Sequence, residues 1–230
     1  MIPWILLDIA QAPENGEELR LYQRGAEFSI RVGNSELMNS RIHGSEEALA
    51  RLACERIAPR PCPRVLIGGL GMGYTVTAAL HVLGIEGQVV VAELSPAVVA
   101  WNRGPLAHLA GNPLQDERVT IREIDVALII QTELHVYDAI LLDVDNGPQG
   151  LTRKGNDWLY SLQGLNMARA ALRPGGVLGV WSAAPDQAFT RRLHKVGFKV
   201  DEVRVRARGA FGGAKHTIWI AGLVGVADQR

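Results

Sequence analysis

Length and charge limit the classes of protein that this chain can be. It has 230 residues, and 24 lysines and arginines balance 24 aspartates and glutamates, so its formal net charge is zero. A chain without net charge has no general bias towards nucleic acid or anionic membranes, and we expect neither as a partner. The length corresponds to one large domain, or one domain with a small appendage, that can fold without disulfides or a metal.

Cysteine content and hydropathy indicate the compartment. Cys54 and Cys62 are too few for a disulfide framework and too isolated for a zinc site, so we expect two thiols in a reducing cytoplasm. The apolar start MIPWILLDIA lacks a basic leader and is interrupted by Asp8, which predicts a strand instead of a signal peptide. No run reaches the roughly 18 apolar residues of a membrane span. We therefore expect a soluble cytoplasmic protein without a metal.

Residues 1–44 are predicted to form a small antiparallel β domain. Turn-forming residues separate four short strand-like segments, which are WILLDIA, EELRLYQ, AEFSIRV and ELMNS. A helix is predicted to follow from about Ser45, which we interpret as its N-cap, and to end before PRPCP. Residues 45–230 are predicted to form a second, larger domain.

From Arg64 onward, strand patterns alternate with helix patterns. Seven apolar runs rich in β-branched residues are RVLIGG, GQVVVAEL, RVTIREID, YDAILLDV, GVLGVWS, FKVDEVRVRA and HTIWIAGLV. Helical patterns separate the first six, at 74–84, 96–103, 126–131, 157–172 and 186–196. This alternation predicts an α/β fold with a Rossmann-like, mainly parallel seven-strand sheet. The glycine-rich segment RGAFGGAK joins the last two strands, which are predicted to pair antiparallel.

The segment RVLIGGLGMGYT places three glycines between a strand and a helix. A triphosphate-binding loop would end in Gly-Lys-Ser/Thr, and no lysine is present. The dinucleotide pattern G-x-G-x-x-G/A fits poorly because Tyr74 or Val76 takes the place of its third glycine. The G-x-G-x-G spacing of Gly69, Gly71 and Gly73 favours an adenosyl ligand without phosphates. The alternative is that these glycines only make a tight turn.

Acidic residues end the next three strands. Glu93 ends the second strand of the larger domain, where a carboxylate can accept hydrogen bonds from both ribose hydroxyls. Asp125 ends the third, and we expect it to accept from the adenine amino group. Asp143 and Asp145 end the fourth, where reacting groups lie in open α/β sheets. The predicted cofactor-binding residues are Gly69, Gly71, Gly73, Glu93, Asp125 and Asp143, and the predicted catalytic residues are Asp143 and Asp145.

The segments LIGGLGMG, AELSPAVVAWNR, DERVTIREIDV and YDAILLDVDNGP resemble the spermidine synthase family of class I S-adenosylmethionine-dependent transferases. The leading β unit resembles that family's amino-terminal hairpin domain, so the resemblance covers nearly the whole chain. It implies a seven-strand class I methyltransferase sheet, S-adenosylmethionine or its decarboxylated form as cofactor, a small-molecule acceptor and a homodimer.

The positions that would hold a polyamine depart from the family's pattern. Gly71 stands where the family has an aspartate that holds the aminopropyl ammonium group, and Met38 stands where it has a glutamine. The family's Asp-x-x-Asp motif keeps Asp143 but ends in Asn146. An acceptor amine, with a pKa of about 10, must lose a proton before it attacks carbon, and an amide cannot take that proton.

These departures favour a reaction that needs fewer carboxylates. Methyl transfer from intact S-adenosylmethionine mainly requires alignment of the acceptor with the methyl carbon and sulfur. We therefore expect methyl transfer to an unidentified small molecule, with Asp143 orienting or deprotonating the acceptor. The first alternative is a divergent aminopropyltransferase that makes polyamines with Asp143 and Asp145. The second is a non-catalytic adenosyl-ligand-binding or assembly protein.

Three further aromatic residues, Trp181, His43 and His216, are interpreted from their positions in the sequence. Trp181, at the end of the fifth strand, is either core packing or a border of the acceptor pocket. His43 and His216 are interpreted as structural histidines, and the alternative for His43 is a substrate contact.

Overall fold

The computed structural model of the chain describes residues 2–13, 16–144, 147–148 and 157–223. Its amino-terminal strands are β1 (Ile5–Gln11), β2 (Glu18–Arg24), β3 (Glu27–Val32) and β4 (Ser35–Asn39). The later strands are β5 (Arg64–Gly68), β6 (Gln88–Ala92), β7 (Val119–Arg122), β8 (Tyr137–Leu142), β9 (Leu172–Ser182), β10 (Phe198–Arg206) and β11 (Lys215–Leu223). The α-helices are α1 (Gly44–Ile57), α2 (Tyr74–Val82), α3 (Pro96–Arg103), α4 (Val126–Thr132), α5 (Leu162–Ala171) and α6 (Gln187–Val196).

The first four strands form an antiparallel sheet in the order β1-β2-β3-β4. Its inner face buries Leu19, Leu21, Phe28 and Ile30, and the two leucines alternate with more exposed residues along β2. These side chains belong to the same apolar cluster as Leu49 of α1. The small sheet is thereby held against the larger one, and the predicted antiparallel β unit is confirmed.

The larger sheet has the order β10-β11-β9-β8-β5-β6-β7. The strands from β9 to β7 in this order pair in parallel, whereas β11 pairs antiparallel with both β9 and β10. This arrangement confirms the predicted seven-strand α/β sheet and the antiparallel pairing of its last two strands. The strand order reverses at β5, because the chain continues from β5 to β6 on one side and later places β8 on the other side. Sheets of this kind bind ligands at the carboxyl ends of the strands at the reversal.

Two apolar clusters cover the two faces of the larger sheet. Along β5, Val65 and Ile67 pack into the cluster that contains α1, α2 and α3, whereas Leu66 packs into the cluster that contains α4, α5 and α6. Because successive strand residues point to opposite faces, an uninterrupted apolar run is what a strand covered on both sides requires. The sequence pattern of β5, β6 and β8 has this physical cause.

Asp138, at the amino end of β8, holds together several chain segments far from the carboxyl edge. Its Oδ1 accepts a hydrogen bond of 2.7 Å from Arg60, and its Oδ2 accepts bonds of 2.8 Å from Arg173 and from the backbone N–H of Arg64. The side chain is buried, and these charged and backbone donors compensate for its lost hydration. This carboxylate is therefore structural.

One predicted helix cap and one predicted helix start are wrong. Helix α1 begins at Gly44, close to the predicted start, but its N-cap is His43 and the Ser45 hydroxyl instead lies 2.8 Å from Nδ1 of His216. Helix α5 begins at Leu162 instead of residue 157, since the hydroxyl of Ser161 caps it by accepting from the Gly164 N–H. The domain boundary at residue 44 stays a prediction. No helix among the described residues is both long and apolar enough to cross a membrane.

Candidate active site

The glycine loop connects β5 to α2 at the point where the sheet order reverses. Gly69 has a φ of 89°, and a Cβ added there would lie 2.6 Å from the carbonyl oxygen of Asp143. Only glycine allows both this left-handed conformation and this close approach. Gly71 has a φ of 54°, and its added Cβ would meet Sδ of Met38 at 3.6 Å. The loop therefore brings β8 and the small sheet next to its own backbone.

A pocket opens beside this loop, between the carboxyl ends of the parallel strands and the small sheet. Its lining residues are Leu19, Ile30, Leu37, Met38, Glu46, Gly69, Gly71, Ala92, Glu93, Leu94, Ser95, Val98, Ile124, Asp125, Val126, Asp143, Val144 and Trp181. The structure thus brings together five of the predicted cofactor-binding residues. The sixth, Gly73, does not line the pocket. It occupies the N-cap position of α2 with a φ of 85°.

Glu93 follows β6, and two backbone N–H groups fix its carboxylate. Its Oε2 accepts from Leu70 of the glycine loop at 2.9 Å, and its Oε1 accepts from Ser95 at 2.8 Å. Each carboxylate oxygen can accept more than one hydrogen bond, so the group can still receive ribose hydroxyls. The sequence predicted the residue, and the structure adds that the loop itself orients it.

Asp125 combines two roles. It is the N-cap of α4, and its Oδ1 accepts a hydrogen bond of 2.8 Å from the Ala127 N–H. A capping aspartate needs no ligand to explain it. Asp125 nevertheless lines the pocket, as do Ile124 and Glu93. An adenine amino group at Asp125 therefore fits the structure, and this contact stays a prediction.

Asp143 lies directly after β8, and its backbone N–H donates to the Gly68 carbonyl at 3.0 Å. Its Oδ2 accepts a hydrogen bond of 2.6 Å from Thr75 Oγ1, in the first turn of α2. Burial raises the pKa of Asp143 to about 6, and the Thr75 hydrogen bond opposes that rise. A carboxyl group with this pKa is mostly ionised at neutral pH and is a better proton acceptor than an ordinary aspartate.

Glu46 is a fourth pocket carboxylate, which the sequence analysis missed. It lies in the first turn of α1 and lines the pocket together with Asp143. Burial raises the pKa of Glu46 well above its ordinary value, and the charges of Asp143 and Glu47 raise it further. Acids are common in the first turn of a helix, so Glu46 had no distinctive sequence signal.

The small sheet gives the pocket an apolar wall. Leu19 and Ile30 come from β2 and β3, and Leu37 and Met38 come from β4. Trp181, near the end of β9, completes this wall and makes an edge-to-face contact with His216. The structure thus places Trp181 at the border of the pocket, which was one of its two interpretations.

The two histidines lie outside this pocket. His43 stacks on Tyr74 with the ring centroids 4.1 Å apart, and its Nδ1 lies 2.8 Å from Glu47 Oε1. It lines a separate groove between α1 and α2. His216 contacts Ser45 and Trp181, and burial lowers its pKa. Both arrangements agree with structural histidines.

Two residues of the predicted acceptor site lie outside the described residues. They are Asp145, a predicted catalytic residue, and Asn146, the amide that ends the Asp-x-x-Asp motif. The role of Asp145 therefore stays a prediction. Across the described segments, no group of three or more histidine, cysteine, aspartate or glutamate side chains is arranged to hold a metal ion.

Comparisons with known proteins relate this geometry to one kind of transferase. No protein-family model matches the chain. A polyamine aminopropyltransferase from Oceanobacillus iheyensis is 29% identical over 133 residues, which are 56% of this chain and 24% of that protein. The matched segment thus spans about a quarter of this curated relative's length.

Solved structures resemble the chain over almost its whole length. The spermidine synthase from Thermotoga maritima superposes with a TM-score of 0.75 and 17% identity, covering 94% of this chain and 72% of that one. A spermidine synthase in complex with the transition-state analogue AdoDATO gives a TM-score of 0.74 at 16% identity, covering 98% and 75%. A probable spermidine synthase from Corynebacterium glutamicum gives 0.63 at 14%, covering 95% and 79%.

These findings decide part of the sequence-based interpretation. The chain has the spermidine synthase-like fold of class I S-adenosylmethionine-dependent transferases, as the resemblance predicted. The expected preference for methyl transfer finds no support among these relatives. Their names fit the alternative, aminopropyl transfer.

Proposed function

We propose that this chain is a transferase that moves an aminopropyl group from decarboxylated S-adenosylmethionine to a small amine acceptor of the polyamine class. One observation carries the proposal. The four charged side chains that line the pocket within the described segments are all carboxylates, and no lysine, arginine or histidine of those segments lines it. Such a pocket favours ligands that are cations, because buried carboxylates need opposite charges nearby.

The donor substrate has the charge that this pocket favours. Decarboxylated S-adenosylmethionine carries a sulfonium and an ammonium group and no carboxylate. Intact S-adenosylmethionine adds a carboxylate, which would meet no cationic side chain among the described lining residues. Glu93 and Asp125 would hold the adenosine end, and the backbone at Gly69 and Gly71 allows close approach of the rest of the donor.

The acceptor must be deprotonated and aligned with the donor. In aminopropyl transfer, the nitrogen lone pair of the acceptor forms a bond to carbon, and the carbon–sulfur bond breaks with its electron pair remaining on sulfur. Asp143 would orient the acceptor nitrogen, and its raised pKa suits it to proton transfer at neutral pH. Asp145 is a second candidate for this work, proposed from the sequence.

Calorimetric titration with the two donor forms tests the proposal. We expect decarboxylated S-adenosylmethionine to bind at least about tenfold more tightly than the intact form, which corresponds to about 1.4 kcal/mol. Turnover is then measured by chromatography of the nucleoside product with an aliphatic diamine as acceptor, and Asp143→Asn should abolish it. Tighter binding of the intact form would instead restore methyl transfer. Binding of either donor without turnover across an amine panel would favour a non-catalytic adenosyl-ligand-binding protein.

We also propose that the protein works as a homodimer in the cytoplasm. The dimer is implied by the resemblance to spermidine synthases, and the apolar edge strand β1 supports it. The cytoplasmic location is supported by the cysteines, since Cys54 and Cys62 are both free thiols in the structure.

A further inference from the structure

Two consecutive glutamates at the start of α1 face different parts of the molecule. Glu47 approaches His43 and lines the groove between α1 and α2. Glu46 lines the active-site pocket with Asp143. Successive helix residues are rotated by about 100°, which is why neighbours in the sequence reach separate cavities. The preference of helix starts for acids applies equally to Glu46 and Glu47. It therefore does not explain why Glu46 lies in the pocket.

Glu46 lacks the partners that the other pocket carboxylates have. Backbone N–H groups hold Glu93 and Asp125, and the Thr75 hydroxyl holds Asp143. Among the described residues, no hydrogen bond or ion pair reaches the Glu46 carboxylate, and its surroundings raise its pKa through burial and the nearby acids Asp143 and Glu47. An acid in such surroundings costs stability unless a cation joins it.

We propose that Glu46 and Asp143 together bind the ammonium group of the acceptor, and that Glu46 receives the proton that this group loses. The inference rests on the proposed aminopropyl transfer and assigns the acceptor end of its site. Glu46 would be the proton acceptor in place of Asn146, whose amide cannot accept a proton. Because Glu46 belongs to α1, the motif after β8 does not predict it.

The chemical step balances with these groups. The acceptor enters as an ammonium ion, and one N–H proton passes to the Glu46 carboxylate. The freed lone pair forms the new nitrogen–carbon bond to the aminopropyl carbon attached to sulfur. The carbon–sulfur bond breaks, and its electron pair converts the sulfonium into a neutral thioether. The product leaves as an ammonium ion, and Glu46 returns its proton to solvent.

A binding experiment tests Glu46 without requiring turnover. The full chain is saturated with 5′-methylthioadenosine, the thioether product, and titrated calorimetrically with 1,4-diaminobutane. We expect Glu46→Gln to weaken diamine binding by about 30-fold or more, because the variant keeps the shape and loses the charge. Glu55→Gln, which changes an exposed glutamate further along α1 and outside the pocket, is the control and should bind as the wild type does. The affinity for 5′-methylthioadenosine should be the same in all three proteins.

The outcomes separate this inference from the proposed function. Equal diamine binding by Glu46→Gln and wild type, or no binding by wild type, overturns the role of Glu46. Diamine binding that depends on Glu46, without transfer from decarboxylated S-adenosylmethionine, overturns the proposed function and leaves the ammonium site in place. Aminopropyl transfer with the same KM and kcat in Glu46→Gln as in wild type supports the proposed function and overturns the role of Glu46. Glu46→Asp, which keeps the carboxylate, should retain part of the binding and shows that a loss in Glu46→Gln is not a folding defect.

Discussion

Thr75 Oγ1 donates a 2.6 Å hydrogen bond to Asp143 Oδ2, and this bond links the first turn of α2 to the end of β8. The glycine loop turns the chain between β5 and α2 and so places Thr75 beside Asp143, whose strand β8 pairs with β5. The bond favours the ionised carboxylate and lowers the pKa of Asp143, whereas burial raises it, and the result is about 6. Asp143 is thereby kept largely ionised, yet basic, at neutral pH.

Removing this hydroxyl should move the pH dependence of the reaction. In Thr75→Val, burial alone acts on Asp143, so its pKa rises above 6 and the acid limb of the kcat/KM profile shifts to higher pH by about one unit. The profile is measured from pH 5 to 9 with saturating donor. Thr75→Ser keeps the hydroxyl and should follow the wild-type curve. An unshifted limb in Thr75→Val would mean that this bond does not set the pKa of Asp143.

Asp143 should also make the fold less stable at high pH. Its pKa is raised from 3.8 to about 6, so its contribution to stability is fully present below pH 3.8 and is lost as the pH rises through about 6. Asp143→Asn is neutral at all pH values and can still accept the bond from Thr75. We expect this variant to be more stable than wild type by about 3 kcal/mol at pH 8, and the difference to approach zero near pH 4. Urea unfolding at both pH values measures it, and a difference independent of pH would refute the assignment.

Glu93 should determine the affinity for the donor. Glutamine has one acceptor oxygen, so Glu93→Gln cannot serve both the Leu70 and Ser95 N–H groups, and it also loses the charge that ribose hydroxyls favour. We expect decarboxylated S-adenosylmethionine to bind about 30- to 100-fold more weakly, or about 2–3 kcal/mol, by calorimetry. Glu123→Gln, an exposed residue outside the pocket, is the control. Similar losses in both variants would point to general electrostatics instead of a specific contact.

The glycine loop should tolerate alanine very differently at two of its positions. In Gly69→Ala, the left-handed φ and the carbonyl oxygen of Asp143 at 2.6 Å both oppose a Cβ, and we expect destabilisation by about 2–4 kcal/mol. In Gly71→Ala, the nearest atom is the flexible Met38 Sδ at 3.6 Å, and the backbone strain alone costs about 1–2 kcal/mol. Urea unfolding compares them, and equal losses would show that the approach to Asp143 is unimportant.

The edge strand β1 should form the dimer contact. Ile5, Leu6, Leu7 and Ile9 are all exposed, by 58%, 44%, 40% and 47%, on a strand whose outer edge is unpaired within the described sheet. Such an apolar edge favours pairing with another strand, and a second copy supplies the same surface. We expect a dimer by light scattering and a monomer for the double variant Leu6→Lys, Ile9→Lys. Ile85→Lys, which changes an 87% exposed isoleucine elsewhere, should stay dimeric.

Local patterns predicted most of the fold. Strands β5, β6 and β8 are covered on both faces, so each is a run of β-branched residues that can be recognised in the sequence. Turn-forming residues mark the ends of the strands from β1 to β4. The existence and order of these strands could therefore be predicted. The start of α5 was predicted less accurately. The residues before Ser161 also fit a helical pattern, so the sequence did not show that Ser161 is the N-cap. The partner of Ser45 is His216, far away in the sequence, and no local pattern contains that contact.

The candidate site was predictable only where its residues end strands. Glu93, Asp125 and Asp143 follow parallel strands, and parallel strands bring their carboxyl ends to one edge. Glu46 reaches the same pocket from a helix that packs across the sheet, so its position depends on tertiary packing. The structural role of Asp138, outside this site, could not be predicted either, because its two arginine partners are distant in the sequence, one before it and one after it.

The chain order of the pocket walls has a practical consequence for engineering. Apart from Trp181, the apolar wall and Glu46 come from residues before the glycine loop, whereas the residues assigned to the donor lie in the loop or after it. A crossover placed between α1 and β5 would therefore exchange most of the acceptor-facing surface as one contiguous cassette. Recombination at that point between related transferases is a direct route to new acceptor ranges with the donor chemistry retained.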